Sequence, residues 1–221
     1  MQTSDISQNL KAVEQRVATA CERAGRSPDE VTIIAVSKTK PAQVVKAAFE
    51  AGSTNFGENR IQEAEEKIAK LSHINPTWHL IGHLQTNKVK IAVQLFDIIH
   101  SVDSVKLAEF ISKQADKEIE VLLQINVAQE ESKSGFTVAE LPQALEKISE
   151  LPNINVQGLM TIAPWVNDAE EVRPVFKRLK EMGDSLGLKH LSMGMTDDYE
   201  VAIEEGATMV RIGRAIFGAR S

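Results

Sequence analysis

Eight short β-rich runs, each followed by a helical pattern, constrain the fold of this chain more than any other feature. The runs lie at 31–37, 55–57, 77–82, 96–101, 121–127, 156–162, 190–193 and 210–212. Helical periodicity fills 42–51, 60–71, 87–95, 105–115, 138–150, 169–186 and 198–205, and a short last helix is expected from Ala215 to the end. Strands alternating with helices imply parallel pairing, because parallel neighbours need a crossover and crossovers are right-handed. Eight such units in 221 residues match a closed (β/α)8 barrel, the TIM-barrel fold, which takes roughly 200–250 residues. An open doubly wound sheet is the alternative.

An opening helix is expected over 5–24, with Ile6, Leu10, Val13, Val17 and Cys21 on one face and Gly25 as its stop. No composition break, Pro/Gly-rich linker or internal repeat marks a second domain, so residues 1–221 are expected to form one barrel preceded by one helix.

Charge narrows the partners. The chain carries 25 basic and 31 acidic residues, a net charge of −6, where a nucleic-acid or anionic-membrane binder would show a basic surplus. A local basic pocket for a small anion stays open. The N-terminus has neither the basic nor the apolar region of a secretory signal, and no apolar run approaches a membrane span. Cys21 is the single cysteine, which excludes an intrachain disulfide and fits a reducing, cytoplasmic setting. Its place on the apolar stripe of the first helix suits a packed thiol. A monomer is compatible with one polar barrel.

The segment Ala35 to Pro41, AVSKTKP, drives an apolar strand into two lysines. A barrel puts its functional groups at the C-terminal ends of the strands, and alternation sets Thr32, Ile34, Val36 and Lys38 on one face. Lys38 can therefore cap a column pointing into the barrel, while Lys40 lies one step nearer solvent. A desolvated, neutral lysine attacks carbonyls. The plainer reading is a strand-end lysine whose charge stays in water.

Two turns near the C-terminus bear on that choice. HLSMGMTDD, from His190 to Asp198, sets Ser192, Gly194 and Thr196 at a strand-to-helix turn, and VRIGRAIFG, from Val210 to Gly218, sets Gly213 where the last strand meets a helix. The loops after strands seven and eight often bind phosphate in this fold. Ordinary turn and capping chemistry uses the same residues. Arg211 lies inside the last strand with parity opposite to Val210 and Ile212, which aims it into the barrel. There it needs a partner, because it keeps its proton. A buried ion pair is one answer. A Schiff-base lysine, a phosphate cup and an inward arginine together meet the needs of pyridoxal 5′-phosphate.

The chain resembles the pyridoxal-phosphate homeostasis protein family, single barrels similar to the N-terminal domain of alanine racemase. The stretches that carry the resemblance are AVSKTKP at 35–41, FGENRIQE at 56–63, WHLIGHLQTNK at 78–88, NVAQEESKSGF at 126–136, GLMTIAP at 158–164, HLSMGMTDDYE at 190–200 and MVRIGRAIFGAR at 209–220. The resemblance implies Lys38 as the lysine that forms the internal aldimine, and Ser192, Thr196, Gly213 and Arg214 as the phosphate cup. It implies Arg211 as partner of the pyridine nitrogen, and Asn59, Met160 and His79 as groups near the ring. Lys133 matches a family lysine that helps ligand traffic, against which stands a solvated loop lysine. Thr196 replaces a common serine, Arg60 a common tyrosine, and Leu80 a more usual aromatic or methionine. His73, His100 and His190 show no metal spacing.

The same resemblance implies a non-catalytic carrier that serves vitamin B6 and amino-acid homeostasis and passes cofactor to apo-enzymes. A racemase needs a second base, which alanine racemases take from a tyrosine of an additional domain. The single tyrosine here, Tyr199, is expected in helix packing. Arg211 would donate to an unprotonated ring nitrogen and make the ring a poorer electron sink. A weak racemase is the alternative. A Schiff-base aldolase is a third reading, which needs a carboxylate beside Lys38. Glu58 is the nearby candidate, and its parity opposes that of Asn59.

Overall fold

The computed structural model describes residues 3–130 and 134–218. Helix α1, Thr3–Arg23, opens it. Eight strands then alternate with helices: β1 Thr32–Val36, α2 Ala42–Glu50, β2 Asn55–Glu58, α3 Ile61–Lys70, β3 Thr77–Leu80, α4 Val89–Leu95, β4 Ile98–Val102 and α5 Val105–Gln114. The second half continues with β5 Ile119–Gln124, α6 Leu141–Ser149, β6 Ile154–Met160, α7 Arg173–Ser185, β7 His190–Met195, α8 Tyr199–Glu204, β8 Met209–Ile212 and α9 Arg214–Phe217. All eight strands pair in parallel in sequence order, and β8 returns to β1 to close the barrel. The expected (β/α)8 fold with one preceding helix is what forms, and the open sheet is excluded.

Local chemistry explains the places where helices begin late. The stretch expected as one helix from 169 starts as a 3₁₀ turn, Ala169–Val172, capped by Asp168 in a reciprocal box with Glu171. Pro174 sits in the first turn of α7, where its missing N–H has no acceptor to lose, whereas deeper in a helix it would break the i→i−4 ladder. Pro142 likewise sits in the first turn of α6, so the helix expected from 138 begins at Leu141.

The core has two shells. The outer shell lies between strands and helices, and α1 joins it through Ile6, Leu10, Val13, Val17 and Cys21, all buried. Each large apolar side chain of that stripe gains about 1.5–3 kcal/mol on burial. The stripe seats α1 on α8 and α9, and Asn9 Nδ2 donates to the carbonyl of Ile216 at 3.1 Å. Arg16 and Arg23 pair with Glu200, and Arg23 also with Glu204, along the same seam. The inner shell is small. Ile34, Leu122, Met160 and Met209 fill the barrel axis, so the lumen is a packed core and not a channel.

Two glycines shape the upper rim. Gly194 on β7 has φ +89, and a Cβ there would stand 2.6 Å from that of Ala202 on α8. Gly82 comes just after β3, and a Cβ there would lie 2.2 Å from the carbonyl oxygen of Asn59. Only glycine lets these backbones approach so closely.

Candidate functional site

A cavity of about 730 Å³ opens at the C-terminal ends of the strands. Lys38, Asn59, Thr196, Arg211, Gly213 and Arg214 all line it, so six of the expected site residues meet in one place. Four cations, Lys38, Lys40, Arg211 and Arg214, face it. Among the described residues a single carboxylate lines it with them, Asp197, to which Arg214 is paired. The chain is acidic overall, yet this cavity suits an anion.

Lys38 stands just past the end of β1, half-buried, on the turn that leads to α2. Asn59 stands just past β2, where Gly82 lets the two strand ends close up. The Oδ1 atom of Asn59 is buried and has no hydrogen-bond partner among the described residues. A donor on a ligand would relieve the cost of that orphaned group.

Arg211 is 5% exposed. Its Nη1 donates to Ser192 Oγ at 2.5 Å and its Nη2 to the carbonyl of Thr161 at 2.8 Å. Burial pulls its pKa down to about 10, with the carboxylate of Asp198 acting the other way. The buried ion pair considered from the sequence is thus replaced by neutral acceptors, and the guanidinium presents its charge at the cavity floor.

A polar chain continues below Arg211. Asn55 Nδ2 donates to Thr54 Oγ1, which leaves its Oδ1 to accept from His79 Nε2 at 3.0 Å. His79 Nδ1 then accepts from His100 Nε2 at 2.9 Å, and His100 Nδ1 accepts from the Ser192 hydroxyl at 2.9 Å. Each neutral imidazole donates once and accepts once. Burial pushes the His79 pKa down to about 4. Burial, with His79, Arg211 and His190 adding to it, holds His100 well below the ordinary histidine value.

Three expected site residues therefore sit below the cavity. Ser192 is fully buried and engaged by His100 and Arg211, so it supports the arginine and does not line the cavity. Met160 fills the inner shell, and His79 belongs to the polar chain. The reason is pitch. A strand advances about 3.3 Å per residue, so a residue a few steps before its end lies well below the mouth. β7 also carries an extra residue between Ser192 and Met195 relative to β8, a bulge that re-aims the residues beyond it. Two residues past Met160 and His79 come Ile162 and Ile81, and these do line the cavity. The sequence reading missed them, together with Trp165, Met195 and Phe217. An apolar residue at a strand end carries no signal distinct from core packing.

Other candidates resolve differently. Glu58 is fully buried on the outer face of β2, where Ser37 Oγ donates to it at 2.6 Å and Lys67 pairs with it. It faces away from the cavity, which leaves the aldolase reading without its carboxylate. Tyr199 is buried with the Arg16 guanidinium 5.2 Å from its ring centroid, in the α1–α8 seam. Lys133 lies outside the described residues. No group of three or more metal-ligating side chains occurs among the described residues, and no described helix is long and apolar enough to cross a membrane.

Comparison with known proteins shows the family. Residues 8–221 match the family model described as alanine racemase, N-terminal domain. The pyridoxal phosphate homeostasis protein of Aquifex aeolicus is 45% identical, over 96% of this chain and 97% of that protein. The structure of PipY from Synechococcus elongatus PCC7942, with PLP bound, superposes with a TM-score of 0.83 at 37% identity, covering 96% of this chain and 100% of that one. Alanine racemase from Corynebacterium glutamicum shares the fold, with a TM-score of 0.78 at 17% identity, and this chain covers 62% of its length. The chain belongs to the pyridoxal phosphate homeostasis proteins, within the family built on the alanine racemase N-terminal domain.

Proposed function

We propose that this chain binds pyridoxal 5′-phosphate in the mouth of the barrel, holds it reversibly as a Schiff base on Lys38, and buffers or passes on the cofactor without turnover of its own. The observation that carries this reading is the convergence of Lys38, Arg211 and the Thr196–Gly213–Arg214 group on one cavity. Each matches one part of the cofactor: amine to aldehyde, guanidinium to pyridine nitrogen, hydroxyl and cation to phosphate. The first N–H groups of a helical turn have no acceptor within it, and Gly213 with Arg214 opens such a turn.

Lack of turnover rests on three features. Arg211 is a poor proton donor, so it leaves the ring nitrogen unprotonated. Tyr199 is spent in the α1–α8 seam. The rim is open to water, with Trp165 82% exposed, and an unclosed site protects no carbanion. In this reading the protein works as a cytosolic monomer whose partners are apo-enzymes that need the cofactor.

The test is an absorbance spectrum of the protein incubated with pyridoxal phosphate, before and after borohydride, with peptide mapping of the product. Reduction should bleach the colour and fix a phosphopyridoxyl group on Lys38. Labelling at other lysines only would overturn the assignment. Exchange of the α-proton of amino acids by the loaded protein, measured against free cofactor, would overturn the non-catalytic reading in favour of a weak racemase.

A further inference from the structure

The turn that carries Lys38 is gripped from behind by α3. Lys67, buried on that helix, donates to the carbonyl of Ser37 at 2.8 Å, to Glu58, and to Glu63 at 3.1 Å. Glu63, one turn earlier on α3, accepts from the backbone N–H of Thr39. The residues immediately before and after Lys38 are thus both bonded to one charged cluster. Lys40 N closes the turn onto the same Ser37 carbonyl at 3.0 Å. Within it Thr39 has φ 65, a left-handed conformation that a β-branched residue adopts only when its surroundings impose it.

A tie that served only to dock α3 on the barrel could end on side chains. These bonds end on the backbone of residues 37 and 39, with the Lys38 side chain leaving on the opposite side toward the cavity. We infer that Glu63 and Lys67 are positioning residues for Lys38, fixing the turn whose shape aims its amine into the mouth. The inference rests on Lys38 as the Schiff-base lysine. In that step the amine nitrogen bonds to the aldehyde carbon, the carbonyl oxygen leaves as water, and both of the water's protons come from the neutral amine. No group other than the aldehyde is needed. The rate depends on how often the amine meets the carbonyl in line, and a loosened anchor lowers it.

Glu63→Ala is the leading variant, because it frees Thr39 N–H while Lys67 keeps Glu58 as its partner. Glu63→Gln retains an acceptor and should rescue. A Glu58→Gln/Lys67→Met double variant removes the buried pair together, since removing one partner alone leaves a buried charge. Two ligands separate the roles: pyridoxal phosphate, and pyridoxine 5′-phosphate, which has no aldehyde.

Glu63→Ala should form the borohydride-trappable adduct about tenfold more slowly, with affinity for pyridoxine 5′-phosphate unchanged and Glu63→Gln close to the parent. Hydrogen exchange in the ligand-free protein should speed up over 37–41. An unchanged trapping rate would overturn the inference while leaving Lys38 as the attachment point. A parallel loss of trapping and pyridoxine 5′-phosphate affinity would also overturn it, by showing general loosening. A parent protein unlabelled at Lys38 would remove the functional reading on which it rests.

Discussion

His100 Nδ1 and Ser192 Oγ meet at 2.9 Å inside the barrel, and the same hydroxyl accepts from Arg211 Nη1 at 2.5 Å. One serine therefore links a neutral imidazole to a permanent cation. The hydroxyl proton points to His100 because Arg211 has no lone pair to accept it. Ser192→Ala keeps the packing nearly intact and orphans His100 Nδ1. Unfolding by urea should show a loss of about 1–3 kcal/mol with an unchanged slope.

The histidine pair predicts an acid limb. Both histidines have depressed pKa values in the folded chain, His79 at about 4, against an unfolded value near 6.5. Between those values the unfolded chain binds more protons, so stability is complete above pH ~6.5 and falls as the pH drops toward ~4, by up to ~1.4 kcal/mol per pH unit per histidine. Glu58 and Asp198, both raised chiefly by burial, act in the opposite sense and soften the slope. Denaturation midpoints measured from pH 7 to 4.5 should flatten in a His79→Gln/His100→Gln variant relative to the parent.

Thr196 and Arg214 should matter for the phosphate and not for the ring. Thr196→Ala and Arg214→Ala are each expected to weaken pyridoxal phosphate about tenfold, from the loss of one hydrogen bond to a charged group. Binding of unphosphorylated pyridoxal, read by the same absorbance change, should stay within about twofold of the parent. Equal losses for both ligands would place the phosphate elsewhere.

Trp165 is a reporter at the rim. It is 82% exposed and lines the cavity, whereas Trp78 is buried under the barrel wall. Filling the cavity with a ligand that absorbs in the near ultraviolet should quench the solvent-exposed emission, and Trp165→Phe should remove that part of the signal. The substitution should change stability by no more than about 0.5 kcal/mol.

Gly194→Ala tests the β7 turn. The new methyl would meet Ala202 at 2.6 Å on a backbone with φ +89, which combines overpacking with left-handed strain. A loss of about 2 kcal/mol or more is expected in thermal denaturation.

The sequence by itself determined the order of strands and helices, the face each presents to the core, and the chemical kinds gathered at the strand ends. Those come from local periodicity and from elementary costs, such as an arginine or lysine driven into an apolar strand. It also carried the family resemblance, which the 45% identity to a homologue bears out. Depth was left to the tertiary structure. Alternation tells which residues point inward, but Met160 and Ile162, or His79 and Ile81, share parity and differ only in height. Height is set by where each strand ends and how the closed barrel staggers its neighbours, a property of all eight strands together. For that reason Ser192, Met160 and His79 went below the cavity and Ile81 and Ile162 took the rim. The grip of Glu63 and Lys67 on the Lys38 turn was equally out of reach, because residues 24 to 30 positions apart touch only after α3 has packed on the barrel.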